Sequence, residues 1–296
     1  MKLIKVEKES LEEKIYFWWN LAWWSIPYER PIGRQLRFLL WDEGHDAPFG
    51  LLGLQSPPLR MEPRDDYLKL EKERLDFWVN QSMSAHRIGA LPPYNFLLGA
   101  KMVALTTSCK EVRQIYERKY RSAKTVLKNR SLPSKLLFVT TTSAYGRSSI
   151  YDRLVYDGQE VCTFLGLTKG DGTFHVTDKL YQDMLTLLKR RGTVTARRGF
   201  SRGTSRKLRL VDRAFRTLGL EFLHHGVRRG VYIFPHAKNL ANVISNDSRP
   251  LWRNWTFIDL FHYWHGRWAM PRSIRNLEWQ SFRSREFFQK SAKWFI

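Results

Sequence analysis

Between Leu36 and Gln55 two apolar runs, LRFLLW (Leu36–Trp41) and FGLLGLQ (Phe49–Gln55), flank the polar string DEGHDAP. Asp, Gly and Pro are turn formers, so the pattern predicts a β-hairpin or meander. The preceding segment IYFWWNLAWWSIPYE is dense in aromatic residues and reads as an N-terminal helix. Helical spacing recurs over Leu75–Ser84, Tyr94–Thr106 and Lys110–Tyr120. LLFVTTT (Leu136–Thr142) and Val161–Leu167 read as buried strands. Asp178–Arg191 has the spacing of an amphipathic helix with Thr177 as its N-cap. Leu208–Leu218 resumes helical spacing, with Leu210, Val211, Ala214, Phe215 and Leu218 inward. Arg206, Arg209, Arg213 and Arg216 then fall three or four apart, so most share one face. Trp252–Ile296 reads as mainly helical.

Strands alternating with helices predict an α/β (α+β) protein built on a mixed central sheet. Texture divides it into a core domain over 1–191 and a basic arm with a helical C-terminal region over 192–296, packed on the core. Six of the 12 tryptophans lie in Trp252–Ile296 and none between Val79 and Leu251. That clustering predicts that the two ends of the chain bury aromatic surface against each other.

Charge sharpens the picture. Fifty Lys/Arg against 28 Asp/Glu leave a net charge of +22, a field that attracts polyanions over several ångströms. The excess is mostly arginine, whose planar fork matches phosphate oxygens, so nucleic acid is the expected partner. From Lys189 to Arg229 there are 13 Lys/Arg and two acids, Asp212 and Glu221. Arg190, Arg191, Arg197, Arg198, Arg202, Arg206, Lys207, Arg209, Arg213, Arg228 and Arg229 are the candidate phosphate contacts of this segment. Phe200 is the one aromatic residue inside its loop, so composition does not separate duplex from single strand.

A second candidate lies where LLFVTTT ends. Thr140, Thr141, Thr142 and Ser143, with Ser148, Ser149, Arg147 and Arg153, have the chemistry of an anion pocket around a turn at Gly146. A helix starting near Ser148 would add backbone donors. The alternative is an ordinary polar turn. Arg64 and Asp65 are either a catalytic pair or a structural salt bridge. His175, after the turn GDGTF, suits a phosphate contact, a base or a simple hydrogen-bonding role. His224 and His225, before GVRRG, suit a phosphate contact or solvent.

Other chemistries find no support. Cys109 and Cys162 stand alone, without CxxC or a neighbouring His cluster, so neither a disulfide framework nor zinc is expected. HExxH and GK[ST] are absent. No run of 18 apolar residues occurs, and MKLIKVEKESLEEK lacks the apolar core of a signal peptide. A cytoplasmic setting without membrane contact is the resulting expectation.

Several longer strings carry a resemblance. PIGRQLRFLLWD (Pro31–Asp42), PFGLLGLQSP (Pro48–Pro57) and the pair Arg64–Asp65 come first. RIGALPPYNFLLGAKMVAL (Arg87–Leu105), SCKEVRQIYERKY (Ser108–Tyr120) and VTTTSAYGRSSIYDRL (Val139–Leu154) follow. LGLTKGDGTFHVTDKLY (Leu165–Tyr181), LHHGVRRGVYIFPHAKN (Leu223–Asn239) and RWAMPRSIRN (Arg267–Asn276) complete the series. In this order they resemble the DruA family of Druantia antiphage defence systems. DYLKL after Arg64–Asp65 departs from the tryptophan-containing form usual there. The resemblance implies a bacterial defence protein acting beside a large helicase-like partner. Relatives found with transposases imply a DNA context.

The middle of the chain also resembles the GNAT acyltransferase fold. Ile88–Leu91 and Pro92–Lys101 would be its strand, turn and helix, and Leu136–Thr142 with Ser148–Leu154 its second strand–helix pair. The resemblance implies an alternative reading as an acyltransferase, or another enzyme acting on nucleic acid. Acyl-coenzyme A would lie at Gly99, Ala100 and Lys101, with Tyr151 as proton donor. A scaffold recruiting a helicase is the third reading.

Overall fold

The computed structural model describes residues 1–23, 33–125, 129–170, 176–193, 206–221 and 226–292. Their contacts form two compact units, one of residues 1–167 with 229–296 and one of residues 168–228. The second unit straddles the boundary that texture placed at Arg191.

The first unit opens with strand β1 (Lys2–Lys5), helix α1 (Leu11–Trp23) and the hairpin β2 (Gln35–Asp42) and β3 (Ala47–Gln55). The short helices α2 (Glu62–Tyr67) and α3 (Leu75–Val79) lead to β4 (Ser82–Ala90). A 3-10 turn at Tyr94–Leu97, helices α4 (Gly99–Thr106) and α5 (Lys110–Tyr120), and β5 (Phe138–Thr142) come next. The two-residue strands β6 (Val155–Tyr156) and β7 (Gln159–Glu160) precede β8 (Thr163–Leu167). The second unit holds α6 (Asp178–Arg190) and α7 (Arg206–Thr217). The chain then returns to the first unit through β9 (Gly230–Pro235) and α8 (Leu240–Asn246). It closes with α9 (Phe257–Trp264), a π turn at His265–Ala269, α10 (Met270–Arg275), α11 (Glu278–Ser281) and α12 (Ser284–Ala292).

Seven strands form a mixed sheet in the order β1-β2-β3-β4-β5-β9-β8. Every pair is antiparallel except β4 and β5, which run parallel with Ser82 opposite Phe138 and Ala85 opposite Thr141. A parallel pair needs a crossover connection, and α4 with α5 supplies it.

Side-chain alternation explains the layering. On β2, Leu36, Phe38 and Leu40 enter the main core with α4, α5 and α9, while Leu39 joins Leu51 on the opposite face under Tyr16 and Trp19 of α1. Burial on both faces is why these strands are nearly continuous in apolar residues. The ends of the chain meet as their tryptophans implied: Trp19 stacks on Phe287 of α12 at 5.4 Å, and Trp18 meets Phe288 at 5.1 Å.

Four expectations need correction. The helix expected over Leu75–Ser84 stops at Val79, because Ser82 onward is drawn into the ladder between β3 and β5. The helix expected over Tyr94–Thr106 is broken at Leu98, whose φ of 57° is left-handed. Leu218, expected inward, follows α7 and is exposed. No helix forms at Ser148–Leu154. Arg153 has a φ of 62°, and the Lys101 ammonium draws the Ser149, Ile150 and Asp152 carbonyls to itself. Those oxygens would otherwise accept a helix's own N–H groups.

Candidate nucleic-acid interface

In the second unit Thr177 Oγ1 accepts the Leu180 N–H at 3.3 Å and starts α6. Leu188 of α6 is buried, as are Val211 and Ala214 of α7. At about 100° per residue, Arg206, Arg209, Arg213 and Arg216 fall within one arc of α7, away from Val211. Arg216 is paired with Asp212 at 3.0 Å. Arg206, Arg209 and Arg213 are exposed and have no acidic partner among the described residues. Lys207 differs: its ammonium reaches the Val176 carbonyl at 3.2 Å and lies 5.3 Å from the Tyr181 ring, tying α7 to the start of α6.

Arg190 and Arg191 stand exposed at the end of α6, where a helix C-terminus favours cations. Arg228 and Arg229 are exposed as well. Arg197, Arg198, Arg202, His175, His224 and His225 lie outside the described residues. Residues 168–228 carry fourteen Lys/Arg against five Asp/Glu.

In the first unit the end of β5 is built around Gly230. Ser143 N–H donates to the Gly230 carbonyl at 2.9 Å, and Gly230 N–H donates to the Gly146 carbonyl and to Ser143 Oγ, each at 2.8 Å. The Ser143 hydroxyl in turn donates to the Gly146 carbonyl. A β-carbon on residue 230 would collide with that carbonyl, so only glycine fits. Ser148 N–H donates to the Tyr232 hydroxyl at 2.8 Å.

Half of the hydroxyls expected to line an anion pocket bond inside this scaffold, and the buried Thr140 Oγ1 has no hydrogen-bond partner among the described residues. Thr140 and Thr141 are buried, and Thr141 Oγ1 donates to the Ala85 carbonyl. Thr142 is half-buried, with its backbone registered against Val231. Ser148 Oγ accepts the Ile150 N–H at 3.4 Å, and Ser149 is exposed. Arg147 is bound to Asp152 at 3.1 Å and lies 4.7 Å from the Phe164 ring, with its side chain still 62% exposed. Arg153 is exposed. This strand end therefore presents Tyr145, Arg147, Ser149 and Arg153 to solvent.

Arg64 is fully buried. Its guanidinium donates to Asp65 at 2.7 Å and to the Pro58 and Leu59 carbonyls at 2.9 Å, while Asp65 accepts the Met61 N–H. With its partners all internal, the pair clamps the loop before α2. Tyr151 is also buried, and burial pushes its phenol up to about 12. It holds its proton but does not present it.

Acyl-coenzyme A, which the GNAT resemblance implies, would need open backbone donors after β4. Gly99 is buried against Ala90, Tyr94 and Phe49, and Ala100 is half-buried. Trp264 donates to the Leu98 carbonyl at 3.1 Å. Lys101 is committed to three carbonyls, and burial pulls its ammonium below the usual lysine range. These residues do not fit a pyrophosphate cradle.

Sequence reasoning passed over Gly230 and Tyr145. A glycine immediately before the apolar run VYIF was the available signal for the first. For Tyr145 there was none, since exposure of one ring depends on the turn that carries it.

The sequence model of the family described as Druantia protein DruA matches residues 1–246. The Druantia protein DruA of Escherichia coli (strain UMEA 4076-1) is 31% identical over 270 residues, covering 90% of this chain and 67% of that protein. No solved structure matches the chain.

Proposed function

The chain belongs to the Druantia DruA family, and on that premise we propose that it is the nucleic-acid-binding component of an antiphage defence system, with DNA the favoured polyanion. The observation that carries this reading is the stripe on α7. Arg206, Arg209 and Arg213 point one way from a helix whose other side is buried, and no carboxylate among the described residues neutralises them. Three unpaired guanidiniums on one arc repel one another unless a polyanion lies across them. A helix fixes their spacing, so little side-chain order is lost when phosphates bind.

The large helicase-like partner implied by the family belongs to the same proposal. So does a cytoplasmic setting, which the free, buried Cys109 and Cys162 suit. Among the described residues no helix is long and apolar enough to cross a membrane. For the core we propose a GNAT-like architecture, supported by the single parallel pair β4/β5 within an otherwise antiparallel sheet. It would be a binding scaffold and not a transferase, because the turn after β4 does not fit the coenzyme.

Retention of a labelled duplex and of a single strand of equal length, measured from 50 to 200 mM salt, tests the nucleic-acid reading. Six phosphate contacts would cost about a thousandfold in affinity over that range. Binding that is absent at 50 mM, or flat with salt, refutes it.

A further inference from the structure

Tyr145 is 76% exposed and makes no hydrogen bond or ring contact among the described residues. It does not ride on a loose loop. The turn that carries it is held at Ser143 and Gly146 by reciprocal bonds to Gly230, and at Ser148 by the Tyr232 hydroxyl. Tyr232 and Gly230 belong to β9, which pairs with both β5 and β8 inside the sheet. A large ring is thus held in water by a turn with several anchors, although exposing it forfeits the hydrophobic gain of burying it.

Two arginines stand near Tyr145 along the backbone, Arg147 on the same turn and Arg229 just before the strand that latches it. Arg147 stands two residues on. It is braced by Asp152 and Phe164, yet enough of its side chain is exposed for its remaining N–H donors to reach a ligand. Arg229 is exposed and registers beside Gly146 in a parallel bridge. Asp152, the carboxylate bound at this point, is already engaged by Arg147.

An exposed aromatic ring on a braced turn that also carries exposed arginines is suited to receive a base by stacking while cations take the adjoining phosphates. Resting on the nucleic-acid reading above, we infer that Tyr145, Arg147 and Arg229 form a stacking site for an unpaired base, which selects single-stranded over duplex nucleic acid. A paired base already stacks on both faces within its duplex and has no face to offer the ring. An unpaired one does. Tyrosine suits the role because only two side-chain torsions need fixing, and the turn has already fixed the backbone. The hydroxyl is not required; the ring is.

The test compares the affinities of the full chain, Tyr145→Ala and Tyr145→Phe for a fluorescent 12-nucleotide mixed-sequence single strand and for a 12-base-pair duplex of the same sequence. Tyr145→Ala is expected to lose about 5- to 150-fold on the single strand, the range that stacking one base on an aromatic ring covers. It should stay within about twofold on the duplex. Tyr145→Phe should match the unaltered chain on both probes. All three should melt alike, since the side chain is 76% exposed and makes no hydrogen bond or ring contact among the described residues.

Equal losses on both probes, or none on either, overturn the inference. So does a Tyr145→Ala chain that holds both probes normally but no longer holds a protein partner, which would make the ring a protein contact. If the unaltered chain holds neither probe, the nucleic-acid reading itself falls. If it holds the duplex alone and Tyr145→Ala changes nothing, only the stacking site falls.

Discussion

Changing Arg206, Arg209 and Arg213 together to glutamine removes three charges from α7 while disturbing little else. The three side chains are exposed and pair with no carboxylate among the described residues. Glutamine is about as good a helix former as arginine, and Val211 and Ala214 remain buried beneath. Arg216, already paired with Asp212, is left in place. If each guanidinium neutralises one phosphate, the slope of log affinity against log salt flattens by about 0.9 per residue, or about 2.7 for the three. A fourfold rise in salt, from 50 to 200 mM, should then shrink the affinity gap between the unaltered chain and the variant by about 40-fold. Fluorescence anisotropy with one duplex at four or five salt concentrations measures both slopes, and a thermal melt checks folding. An affinity loss with no change of slope would mean that the stripe does not contact phosphates. A variant that melts without cooperativity would mean that these arginines hold the unit together, and the reasoning fails in either case.

Two further outcomes follow from buried groups. His86 and His236 are held neutral, their pKa pushed down to about 3, by burial first and nearby arginines second. The unfolded chain takes up protons near pH 6.5 and the folded one does not. Melting temperature should therefore be level above about pH 7 and fall as pH drops from 6.5 towards 3, at about 1.4 kcal/mol per pH unit for each histidine; equal stability at pH 7 and pH 5 would contradict this. Arg64→Met should cost about 3–5 kcal/mol in denaturant unfolding, because Asp65 and the Pro58 and Leu59 carbonyls lose their shared partner; a loss below about 1 kcal/mol would show that the clamp is dispensable.

Local pattern was enough to find the hairpin β2–β3, the helices α5, α6 and α7, and the arginine face of α7. Each is decided within a few residues by side-chain periodicity and turn chemistry: Thr177 caps α6 as its type and position imply, and the buried side of α7 is set by Val211 and Ala214. The tryptophan distribution carried a long-range fact, the meeting of α1 with α12, because so much aromatic surface at both ends has to be covered from somewhere.

What the pattern could not reach was decided between distant segments. Leu75–Ser84 has helical spacing, yet from Ser82 the chain becomes a strand because β3 and β5 take up its backbone groups from both sides. Ser148–Leu154 has helical residues and no helix, since Lys101, some fifty positions earlier, takes its carbonyls. The threonines that read as pocket hydroxyls are turned into the sheet, and Tyr145 is turned out of it, by a turn latched to Gly230, more than eighty residues away. Periodicity reports which side of an element prefers water. Whether a given hydroxyl or ring reaches water depends on which backbone groups its neighbours in space have already claimed, and that is settled only when the chain has closed on itself.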